Sequence, residues 1–269
     1  MIWIHVLSGA VCGFLAVGVA TLIVRNGKAN KYLHAVVSVV ALGLLLAVSQ
    51  AFVTPQLQAR YTASKVNESL SANPAFAAIR QHDAATYSQI MGELKSAITK
   101  GRSQAEATAA VRSNITTLIQ RRIPHASDDA ALTYMSVTVQ EMTELQQNGG
   151  DELCYQFLFP QPRQPIDMSK YVSEATIQAD LAALGEVVRT SAVAPQHIPS
   201  EADVWDLLEP VVKVLITKYG EDAALLQKPG APGVDQAKVC AITTEMYRQI
   251  VALPPEQGGK LVRYLLAQG

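Results

Sequence analysis

The sequence predicts an all-α protein in two parts. An N-terminal two-helix transmembrane hairpin precedes an extracytoplasmic, bundle-like domain of several helices. Three observations predict this. Ile2–Val24 and Tyr32–Val53 are long, apolar and free of Asp, Glu, Lys and Arg. A basic turn, 25–31, separates them. From 54 to 269, apolar residues recur at helical rather than alternating spacing, and Gly, Pro and Ser mark the breaks.

A bilayer core about 30 Å thick needs roughly 20 apolar residues in a helix, and each stretch is long enough. Lipid leaves backbone polar groups no partner but the segment itself, so each stretch is expected to be a helix. Arg25, Lys28 and Lys31 mark the turn as cytoplasmic, which puts both chain ends on the other side. In a bacterial inner membrane that side is the periplasm. No basic residue precedes Arg25, which disfavours a cleaved signal peptide or a lipidated Cys12. Small residues recur every fourth position: Gly9, Gly13, Ala16 and Ala20 in the first span, Gly43, Ala47 and Ala51 in the second. Such faces let helices approach closely, either each other or another membrane protein. No acid, lysine or arginine lies in either span, which disfavours an ion or proton path.

Beyond the hairpin, 19 basic residues stand against 23 acidic ones, a net charge of −4. Nucleic acid and anionic headgroups are therefore not the expected main partners. Asn73-Pro74 and Ser127-Asp128 read as helix starts, and Ser173 and Ser200 as N-caps. Helical stripes run through Tyr87–Ile98, Val111–Ile119, Leu132–Met142 and Ile177–Val188. The clearest holds Val204, Leu207, Leu208, Val211, Val212, Leu215, Ile216 and Tyr219, with Pro210 expected to kink or break it. Two more run through Val239–Ile250 and Leu261–Leu266. Gly101, Gly149 and Gly220 fall where helices should stop. Gly149–Lys170 and Lys228–Gly233 read as irregular, and Tyr155–Phe159 comes nearest to a strand. One domain of stacked helices is expected over 54–269; the alternative is two lobes, 54–149 and 150–269.

Cys154 and Cys240 lie in the part placed in an oxidising compartment. The natural reading is one disulfide, worth about 4–5 kcal/mol in the chain-entropy model; the alternative is two buried thiols. His82, His125 and His197 lack metal-ligand spacing, and no GxSxG elbow, phosphate loop or CxxCH signature occurs. The carboxylate pairs sit where helix ends are expected, so neither enzyme activity nor a cofactor or metal is expected.

Tyr155, Phe157 and Phe159 with Arg163 have the composition of an interface patch, against the alternative that the rings fold into the core. The seven-residue turn is too short to hold an output domain. The expected function is protein binding in the periplasm or envelope, for example as an immunity protein against a delivered toxin. An accessory subunit of an envelope secretion or assembly complex is a second version. A periplasmic hydrolase or a binder of a small ligand is the alternative class.

Overall fold

The computed structural model describes residues 73–102, 104–159 and 166–268. The hairpin, its topology residues Arg25, Lys28 and Lys31, its packing residues Gly9, Gly13, Gly43, Ala47 and Ala51, and Arg163 all lie outside them. All regular structure among the described residues is helical, with no strand among them. No helix among them is long and apolar enough to cross a membrane.

The helices are α1 (Pro74–His82), α2 (Ala84–Thr99), α3 (Gln104–Arg122), α4 (Asp128–Gly149), α5 (Asp151–Leu158), α6 (Glu174–Val193), α7 (Glu201–Tyr219), α8 (Gln236–Val251) and α9 (Pro255–Leu266). Short 3-10 turns at Ile123–His125, Met168–Lys170 and Gly220–Gln227 join some of them.

Local chemistry starts these helices where expected. Asn73 accepts from the Ala75 N–H at 2.9 Å, and Pro74 occupies the first turn of α1, where its missing N–H is not needed. Ser127 caps α4 by accepting from Ala130 N, and Ser173 caps α6 by accepting from Thr176 N. Ser200 and Asp203 form a reciprocal box at α7.

The long helix α4 is the hub. Ile123, Ala126, Ala130, Leu132 and Met135 in and before its first half meet Val187 of α6, Val204 and Val211 of α7, Ile250 of α8 and Leu261 of α9. This cluster joins residues on both sides of Gly150. A second cluster, with Phe76, Ile79, Ile90, Leu118, Leu184 and Val188, packs α1, α2 and α3 on α6. Two contacts depend on glycine. A Cβ at Gly185 would lie 3.1 Å from Ala75 Cα, and one at Gly259 would overlap the backbone of Asp128. Helix α1 thus lies close on α6, and α9 close on the start of α4.

Three expectations need correction. Gly149–Lys170 is not irregular throughout, because Asp151–Leu158 is a helix. Gly150, at φ 85°, ends α4 and lets the chain restart at once. Asp151 and Glu152 then supply the negative charge that a helix N-terminus favours. The near-strand Tyr155–Phe159 is therefore mostly helical. Finally, of the kink or break expected at Pro210, the break does not occur, since α7 runs on to Tyr219. Pro210 and Asp206, whose carbonyl loses its helical donor, are both exposed, so water can satisfy that carbonyl.

Candidate interaction surface

The residues singled out in the sequence fall into two groups, those the fold uses internally and those left on the surface. Cys154 and Cys240 form a disulfide between α5 and α8, with Cα atoms 5.9 Å apart. Both are fully buried and pack with Met142. The aromatic cluster beside the bridge turns largely inward. Tyr155 is 8% exposed, and its hydroxyl donates to the Pro229 carbonyl at 3.2 Å. Its ring lies 4.9 Å from that of Phe159, which is half-buried. Phe157 packs against both the disulfide cluster and the cluster around Leu145, Ile166 and Val172. Tyr155 and Phe157 therefore place their apolar surface within the fold.

His125 and His197 flank one structural joint, and His82 lies at another. His125 Nδ1 lies 3.0 Å from the Gln196 carbonyl. His82 and His197 offer backbone carbonyls, to Arg122 and Arg263 respectively. Among the described residues no group of three or more His, Cys, Asp or Glu could hold a metal ion.

The surface left over is on α7. Its inward line is Val204, Val211 and Leu215, which are 0%, 3% and 3% exposed. Trp205, Val212 and Ile216 are 54%, 41% and 55% exposed. At 3.6 residues per turn these three fall within about 40° of one another and span about 16 Å along the axis. Half-buried Leu208 bridges this stripe to the core. The apolar arc of α7 is thus wider than the fold can cover. Val214, 38% exposed, lies on its other flank.

Carboxylates border the tryptophan. Glu201 and Glu209 are one turn before and after Trp205, and Asp206 lies about 100° round the helix from it. All three are exposed, and their side chains form no ion pair or hydrogen bond among the described residues. Asp203 differs, because Ser200 engages it. The Ser200 hydroxyl and then its backbone N–H hold the Asp203 carboxyl below its ordinary value, helped by Lys260 and His197. Asp203 is thereby occupied in the cap, while its three acidic neighbours have no such contact among the described residues.

The entry to α7 is rigidly tied. Arg263 is 4% exposed and donates to the Pro124 carbonyl at 3.2 Å, to Asp128 Oδ1 at 2.7 Å and to the His197 carbonyl. Gln196 N donates to the His125 carbonyl at 2.9 Å. Gln196 and His197 are therefore pinned to the Ile123–His125 turn and to α9, four to five residues before α7 begins, which presents Trp205 on a preorganised element.

In the sequence the apolar run of α7 reads as a stripe on one helix face, which hides this surface. Its width was the available signal. From Leu207 to Ile216 the run covers about 180° of the helix circumference, well beyond the arc of about 100° that a surface helix needs to face a core. Comparison with family models, with curated proteins and with solved structures finds no match for this chain.

Proposed function

We propose that this chain is a membrane-tethered protein-binding module, held by the 1–53 hairpin and working through its helical domain on the periplasmic side. The carrying observation is the exposed stripe Trp205, Val212 and Ile216 on α7. Tryptophan is favoured at binding hot spots, and an exposed apolar stripe bordered by polar groups has the anatomy of an interface core with its rim. Tethering raises the local concentration of such a surface near the membrane. One concrete version is an immunity protein that captures a toxin delivered into the periplasm.

The test is co-purification from native membranes with the full-length protein in three forms. These are the natural chain, one whose hairpin is replaced by an unrelated anchor, and one carrying Trp205→Asp and Ile216→Asp. A stoichiometric partner should survive the anchor swap and fall by at least about 10-fold with the double variant. A partner lost on the anchor swap but kept by the double variant would contradict this reading and move recognition to the hairpin's Gly and Ala faces.

A further inference from the structure

We infer that the α7 stripe takes a basic amphipathic helix of a partner protein, an inference that rests on the binding reading above and specifies its occupant. Covering the stripe changes the surroundings of its border. Seating any apolar surface on Trp205 brings Glu201 and Glu209 next to a water-poor interface, with Asp206 at its edge about 100° round the helix. None of the three has a cationic partner among the described residues. Removing carboxylates from water without a counter-charge costs several kcal/mol per ion in a protein interior and less at a rim, so the favoured occupant supplies the cations.

A helix is the element that fits. Trp205, Val212 and Ile216 make a straight ridge along α7, and a second helix lays an i, i+3, i+4, i+7 face along such a ridge. Lysine or arginine on either side of that face would reach the carboxylates. Other occupants match less well. A second copy laid antiparallel on α7 would bring one cation unpaired among the described residues, Lys213, to each set of three carboxylates, since Lys218 is bound to Glu245 at 2.7 Å. An anionic lipid surface would meet those carboxylates with like charge, and a zwitterionic one offers no net compensation.

The experiment uses full-length protein in discs of zwitterionic lipid. The chain has two tryptophans, so a Trp3→Phe variant leaves Trp205 as the sole reporter. The probes are a leucine–lysine peptide patterned as an amphipathic helix, its leucine–glutamate twin, and a scrambled leucine–lysine peptide of equal composition. The lysine peptide should produce a saturable blue shift of Trp205 emission, at least about 10-fold tighter than its glutamate twin and weakened by salt. Combining Glu201→Gln, Asp206→Asn and Glu209→Gln should remove most of that preference, and the scrambled peptide should not saturate.

Equal binding of the lysine and glutamate peptides overturns the basic-helix inference while leaving the binding module intact. So does an absence of peptide binding when the native partner is still lost on Trp205→Asp and Ile216→Asp. Emission already blue-shifted in the discs and unmoved by peptide would place the stripe against lipid. Sedimentation showing a dimer dispersed by Trp205→Asp would assign it to a second copy. Either of these results also overturns the inference.

Discussion

Asp83 lies between α1 and α2 beneath two arginines. Its Oδ2 is 3.1 Å from both Arg121 and Arg122, and its side chain is 9% exposed. Burial works to raise its carboxyl, but the backbone N–H and hydroxyl of Thr86, then Arg122 and Arg121, outweigh burial and hold it below its ordinary value of 3.8. A carboxyl depressed in the folded state stabilises the fold fully above its unfolded value and loses that contribution as pH falls through the folded one. Stability should therefore decline on acidification below about pH 4. Asp83→Asn should flatten that decline and lower stability at neutral pH by about 1–2 kcal/mol, the modest size reflecting the solvent around half-exposed Arg121. Denaturant unfolding across pH measures both; an unchanged acid limb in Asp83→Asn would contradict the assignment. Little of this scale is legible in the sequence. Arg121 and Arg122 are 38 and 39 residues from Asp83, and Arg263 is 135 from Asp128, so only folding reveals the pairs. The Cys154–Cys240 bridge is the exception, because two cysteines in an oxidising compartment leave one intramolecular pairing.

At the scale of elements, capping was the most legible feature. Asn73, Ser127, Ser173 and Ser200 all stand at helix starts, since a short polar side chain before an apolar stripe has one good use there. Helix α5 was not legible. Its Gly-Gly start and nearby prolines carry the composition of a loop, and eight residues are too few for a firm period. Helix α9 illustrates what packing adds. Its Gly258-Gly259 pair looks unfavourable for a helix, yet a Cβ at Gly258 would stand 2.7 Å from the Ile250 carbonyl, and one at Gly259 would overlap Asp128. The glycines let α9 come close enough for Arg263 to reach Asp128 and Pro124. Gly259→Ala should therefore destabilise by about 3 kcal/mol despite its better helix propensity, since overpacking meets backbone rather than a movable side chain. Gly92→Ala on α2, where a Cβ meets nothing within 4 Å, should be neutral to stabilising. Thermal unfolding of the two variants decides this; a Gly259→Ala protein as stable as the parent would refute the close approach.

For the molecule as a whole, the all-helical class followed from periodicity, and the described residues bear it out. The site did not follow. An apolar run reads as core in a sequence, and only the structure separates the line that faces inward, Val204, Val211 and Leu215, from the line left in solvent, Trp205, Val212 and Ile216. The aromatic residues near Cys154 illustrate the converse, since aromatic composition suits an interface and an interior equally, and the bridge draws Tyr155 and Phe157 inward. Docking of a partner on the outer stripe of α7, as proposed, is tested by photocrosslinking in living cells, with a photoreactive phenylalanine analogue at Ile216 in one strain and at exposed Gln89 of α2 in another. A discrete crosslinked protein is expected at Ile216 and none at Gln89. Equal adducts at both positions, or an adduct at Gln89 alone, would contradict it.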